Sequence, residues 1–113
     1  MTFQPGESLN QDEVTERVDT AIEDNEVVLF MKGNRLMPQC GFSMRAVELI
    51  SQYREDFETV DALASLDEFR VALKEHSGWE TIPQTYVNGE FIGGSDILAE
   101  LDERGELEAA LDA

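Results

Sequence analysis

The stretch Val27-Val28-Leu29-Phe30-Met31-Lys32-Gly33-Asn34-Arg35-Leu36-Met37-Pro38-Gln39-Cys40-Gly41-Phe42-Ser43 decides how this chain folds. Val27 to Met31 is a continuous apolar run containing β-branched residues, the pattern of a strand buried on both faces. Lys32-Gly33-Asn34 breaks the run. Beyond the loop, Ala46, Val47, Leu49, Ile50 and Tyr53 recur in helical register over residues 42–53. Cys40, the one cysteine of the chain, therefore stands at a strand-to-helix junction. The first N–H groups of a helix lack internal partners and carry partial positive charge, and both effects favour thiolate over thiol. Ser43 occupies the position where a Cys-x-x-Cys pair would hold its second thiol, so the chain cannot close an internal disulfide.

Outward from this stretch, residues 11–24 place Val14, Val18, Ala21 and Ile22 at helical spacing, with Asn10 or Asp12 available as a cap. Phe57 to Asp61 reads as a short strand. Asp67 to His76 reads as a helix with Phe69, Ala72 and Leu73 inward, capped by Asp67 or Ser65. Thr85-Tyr86-Val87 and Glu90-Phe91-Ile92 form a hairpin, because Asn88-Gly89 tolerates the positive φ of a type I′ turn. Gly93-Gly94 closes it, Ser95 or Asp96 opens a helix through Ile97, Leu98 and Leu101, and Gly105 separates a last helix, Glu106 to Leu111. Residues 1–10, with Pro5, Gly6 and Ser8, read as a flexible arm, and 11–113 as one domain. The order is a βαβ unit followed by ββα, which predicts an α/β thioredoxin-like fold with a four-stranded mixed sheet flanked by helices.

The 113 residues carry 25 Asp+Glu against 8 Lys+Arg, a formal charge of −17. Such a surface repels phosphate backbones, which argues against nucleic-acid binding. The acids are spread over every segment, so they read as a solvated surface suited to concentrated salt, and the source is expected to be a halophile. No apolar stretch approaches the ~18 residues of a membrane helix, the N-terminus has no signal-peptide pattern, and one cysteine excludes a disulfide framework. The expected location is cytoplasmic, with no membrane partner. Against the acidic background Lys32, upstream of Cys40, stands out as one of only two lysines.

Lys32 to Ser43, Thr81-Ile82-Pro83-Gln84 and Gly93-Gly94-Ser95-Asp96 together resemble the monothiol glutaredoxins of the Cys-Gly-Phe-Ser class, over about residues 11–105. Taken alone, Cys40 would read as a small buried hydrophobe. The resemblance implies instead a thiolate that attacks a mixed disulfide or binds iron. It also implies that Lys32 and Arg70 face the bound glutathione, although Arg70 by itself reads as an ion-pair partner of Asp67 or of the acidic neighbours of Lys74. It implies a cis bond at Ile82-Pro83 whose backbone holds the ligand cysteine as an added strand would. Gly94, Ser95 and Asp96 are implied to meet the γ-glutamyl end at a helix N-terminus. Ser95 replaces a cysteine common in relatives, and Glu80 a proline. Leu36 and Met37 are apolar and suit a dimer contact. His76 has no visible catalytic partner, and Trp79 reads as packing.

Two functions follow from the resemblance. A [2Fe–2S] cluster needs four outer ligands, and this chain offers one thiolate. Two subunits and two glutathiones, or a related low-molecular-weight thiol, complete the set, which implies a cluster-bound homodimer in iron–sulfur transfer or storage. Client or scaffold proteins and a BolA-type partner are implied with it. The alternative is a glutathione-dependent thiol–disulfide oxidoreductase working through Cys40 alone. A redox-inert adaptor would require Cys40 to be buried.

Overall fold

A computed structural model describes residues 9–112 of the chain. Four strands form one mixed sheet in the order β2-β1-β3-β4. Helix α1 spans Gln11–Asp24, β1 Val27–Met31, α2 Gly41–Ser51 and β2 Glu58–Asp61. A 3-10 turn, Leu63–Ser65, leads into α3, Leu66–Ser77. The hairpin β3 (Gln84–Val87) and β4 (Glu90–Gly93) is followed by α4 (Ser95–Glu103) and α5 (Leu107–Leu111). β2 runs parallel to β1, and β3 antiparallel to β1 and β4. This is the expected thioredoxin-like architecture.

All five residues of β1 are buried, because the strand is central and covered on both sides. Its alternation sorts the core into two layers. Val28 and Phe30, with Val60 and Tyr86, pack against α1 and α3. Val27, Leu29 and Met31, with Val87, pack against α2, α4 and α5. Phe30 is in contact with Tyr86 edge-on at 5.6 Å between ring centroids, so truncating it would cost about 3–5 kcal/mol.

Local signals place the elements. Asn10 and Glu13 form a reciprocal capping box at the start of α1. Asn88 and Gly89 both take positive φ, 51° and 83°, as the hairpin turn requires. Residues 1–8, most of the expected arm, lie outside the described residues. Leu9 is engaged: its N–H donates to Ser65 Oγ at 2.7 Å. Ser65 precedes α3, but its side chain makes no capping bond to the helix. Tyr53 falls beyond the end of α2 rather than on its inner face, and its hydroxyl donates to Asp102.

Candidate functional site

The loop between β1 and α2 is held at each turn by a specific acceptor. Lys32 N–H donates to Ser43 Oγ at 3.0 Å, and Gly33 N–H to Asp61 Oδ1 at 2.9 Å. Gln39 N–H returns to Lys32 O at 2.9 Å. Asn34 Oδ1 accepts from Leu36 N–H and Met37 N–H at 2.9 and 2.8 Å. Gly33 has φ +87°, and a Cβ there would lie 2.6 Å from both Gln39 N and Met37 O, so only glycine fits. The Arg35 guanidinium lies over the Phe57 ring, 3.8 Å from its centroid. Held this way, the loop turns Leu36 outward, 92% exposed.

Cys40 is the N-cap residue of α2 and is partly exposed. Its side chain makes no capping hydrogen bond. Burial pushes its pKa up, but four influences together bring it below the ordinary value: Ser43 N–H, the Ser43 hydroxyl, Phe42 N–H and, last, the Lys32 charge. The thiolate therefore owes more to the first turn of α2 than to the lysine, whose effect is the smallest of the four. Ser43 is fully buried. Its oxygen is occupied by Lys32 N–H, which leaves its proton free to turn toward the sulfur. In the sequence Ser43 stands out only as the place of a missing cysteine; its spacing of three from Cys40, one helical turn, is the signal that points to the thiol.

The second wall comes from the far side of β1. Phe30 pairs with Gln84, so the chain leaving β1 at Lys32 passes the Ile82-Pro83 peptide, which is cis. Ile82 and Pro83 are buried. Gly94 backs onto this segment: a Cβ on it would sit 3.0 Å from Pro83 O. Gly93, at φ +139°, presses on Ile97, where a Cβ would come within 2.5 Å. Ser95 is buried as the first residue of α4, and Asp96 is exposed in the same turn. Gly94 rather than Ser95 or Asp96 is the N-cap, and no side chain caps this helix. The N-termini of α2 and α4 thus open at one end of the sheet, beside the Ile82-Pro83 bond.

Arg70 lies on α3 with its guanidinium 3.5 Å from Asp67, one of the two pairings expected of it on its own. His76 Nε2 contacts Asp19 Oδ1 at 2.7 Å, tying α3 to α1. Trp79 does not pack as expected: the residue is 59% exposed, and the loop is anchored through its backbone, whose N–H donates to Ser77 Oγ and whose carbonyl accepts from Gln84 Nε2. Asp61 and Gln84 hold loop backbone through their side chains, Asp61 at the Gly33 N–H and Gln84 at the carbonyls of Trp79 and Thr81, and composition and spacing gave no reason to single them out. Cys40 is not buried, so the condition for an inert adaptor is not met.

The sequence model of the glutaredoxin family matches residues 27–92, more than half of the chain. An uncharacterized monothiol glutaredoxin, ycf64-like, of Synechocystis is 51% identical over 100 residues, covering 88% of this chain and 92% of the relative. The solution structure of reduced poplar apo GrxS14 superposes with a TM-score of 0.74 at 40% identity, covering 88% of this chain and 90% of that one. The crystal structure of the holo form of glutaredoxin C1 from a poplar hybrid gives a TM-score of 0.71 at 26% identity, over 89% of this chain and 88% of that one. The chain belongs to the monothiol glutaredoxin family.

Proposed function

We propose that this glutaredoxin carries a [2Fe–2S] cluster between two copies of itself, each giving Cys40 and each binding one glutathione, or a related thiol, that supplies a second sulfur. The observation that carries the reading is the ligand count. Among the described residues no group of three or more His, Cys, Asp and Glu could hold a metal, and the chain has one cysteine. A site with a single thiolate-prone sulfur fits a shared cluster and does not fit one enclosed by a single chain. Leu36, Met37, Phe42 and Met44 are exposed around Cys40 in sequence and support a face to be covered by the second copy. Lys32, Arg70, Ile82, Pro83, Gly94, Ser95 and Asp96 are the groups we assign to the small thiol. Iron–sulfur client or scaffold proteins and a BolA-type protein are the partners of this reading. A lone reduced thiol suits the cytoplasm, and the acidic surface suits concentrated salt. No helix of the described residues is long and apolar enough to cross a membrane.

The test is anaerobic reconstitution with iron, sulfide and glutathione, read by absorption and by mass. A brown dimer is expected from the native chain and a colourless monomer from Cys40→Ser. A Cys40→Ser protein that still dimerises with iron and sulfide bound would sink the reading, since the chain has no other cysteine.

The depressed Cys40 pKa favours a second reading, removal of glutathione from mixed disulfides. The Cys40 thiolate would attack the glutathione sulfur and release the client thiolate. A second glutathione thiolate would then attack the Cys40 mixed disulfide, freeing Cys40 and leaving as oxidised glutathione.

A further inference from the structure

Gln84 is fully buried in a core that is otherwise almost wholly apolar. Its Nε2 donates to Trp79 O at 2.8 Å and to Thr81 O at 2.9 Å. Its Oε1 accepts from the Tyr86 hydroxyl at 2.8 Å and the Ser77 hydroxyl at 3.0 Å. Both Nε2 partners are carbonyls, which can only accept, so the amide is fixed in this orientation. Both donors and the acceptor oxygen are partnered, the single Ser77 proton being shared with the carbonyls of Leu73 and Trp79. Burying a primary amide is costly unless it is satisfied in this way. An apolar residue would fill the same space with less risk, so the amide calls for a reason beyond packing.

The reason lies in the next peptide plane. Gln84 and Tyr86 are two apart on β3, and Tyr86 points into the layer of α1 and α3. The Thr81 carbonyl, drawn to Gln84, is pulled toward that layer. The Thr81–Ile82 peptide is trans, so its N–H points opposite to its C=O. The Ile82 N–H is therefore turned toward the other face, the layer of α2 and α4, from whose N-termini Cys40 and Ser95 emerge. No backbone carbonyl of the described residues accepts from this N–H. We propose that Gln84 is a positioning residue that aims the Ile82 N–H at the backbone of the bound small thiol. This rests on the reading that a glutathione-like peptide lies along Ile82.

The probe is S-methylglutathione, which occupies the groove without thiol chemistry. Affinity is measured by calorimetry well below the melting temperature, and amide exchange is followed by NMR. In the native protein the Ile82 N–H should exchange freely and become protected when the probe binds. Gln84→Met should bind about tenfold more weakly, the worth of one hydrogen bond, and lose that protection, while the pH midpoint of Cys40 alkylation stays put. Gln84→Glu keeps the volume and both acceptor contacts but loses the donors at neutral pH, and carries the same expectation if Gln84→Met fails to fold. Tyr86→Phe removes one bond to Oε1 and leaves both donated bonds, so it should lower stability and keep affinity. Equal affinity in Gln84→Met and the native protein would overturn the assignment, as would a Tyr86→Phe loss matching that of Gln84→Met. A native protein that binds the probe with no change at Ile82 would overturn it too. Failure of the native protein to bind the probe at all would instead strike the proposed function on which the assignment stands.

Discussion

Replacing Ser43 by Ala separates the two ways a thiol can be activated here. The change removes a fully buried oxygen that accepts the Lys32 N–H at 3.0 Å. That donor sits in a loop folded against the protein, so water replaces its partner poorly, and the loss should cost about 1–2 kcal/mol. For a domain of this size that lowers the melting temperature by roughly 4–8 °C. The same substitution takes away the hydroxyl that favours the Cys40 thiolate, so the thiol pKa must rise. The Ser43 and Phe42 N–H groups remain, so activation is weakened and not lost. Lys32→Gln should raise the same pKa by less, because the lysine charge is the smallest of the four lowering influences. Salt divides the two further. At 1 M the Debye length is ~3 Å, which screens the ammonium and leaves short-range donors untouched. The assay is the rate of iodoacetamide alkylation against pH, at low and high salt, alongside thermal melts of each variant. In 1 M salt Lys32→Gln should become indistinguishable from the native protein while Ser43→Ala stays shifted. A Lys32→Gln shift larger than that of Ser43→Ala at low salt would refute the reasoning, for the thiol would then be tuned by charge.

Three further outcomes are expected. Burial pushes the Tyr86 phenol up to about 12 from 10.0, so its stabilising effect is whole below pH 10 and disappears as pH climbs through 12. Urea denaturation should show about 2–3 kcal/mol lost across that window in the native protein and not in Tyr86→Phe. Gly33→Ala forces a Cβ to within 2.6 Å of two backbone atoms at φ +87°, and should cost about 2–4 kcal/mol in chemical denaturation, with faster proteolysis between Lys32 and Cys40. Cluster-dependent pairing should be more complete in concentrated salt, because a charge of −17 on each copy opposes association; sedimentation at two salt concentrations measures this, and a dimer favoured by low salt would contradict it.

The fold was legible because its signals are local and redundant. A five-residue apolar run with β-branched members, cut off by Lys32-Gly33-Asn34, suits a doubly covered strand, Asn88-Gly89 admits few turns, and the i, i+3, i+4 pattern of α1 and α3 leaves one face to bury. Cys40 was legible for the same reason, since a strand end and a helix start frame it within a dozen residues. What escaped was anything that depends on a partner distant in sequence. Asp61 holds the Gly33 N–H from 28 residues away. Trp79 reads as packing in the sequence, yet its backbone is what anchors the loop. Gln84 reads as one more polar residue near a turn, and only the bend of the chain brings Ser77, Trp79, Thr81 and Tyr86 around it. Ser43 was in plain view, but its role depends on the Lys32 N–H that returns to it across the loop.

The loop that turns Leu36 outward also sorts the methionines. Met37 and Met44 stand exposed on either side of Cys40, while Met31, at the end of β1, is sealed in the layer between the sheet and α2. A thioether in solvent is oxidised to the sulfoxide readily, and one in the core is spared. Mild peroxide treatment followed by peptide mass mapping would therefore mark Met37 and Met44 and leave Met31 as an internal standard. Whatever docks beside the thiol will write its footprint on those two sulfurs, without a label having to be introduced.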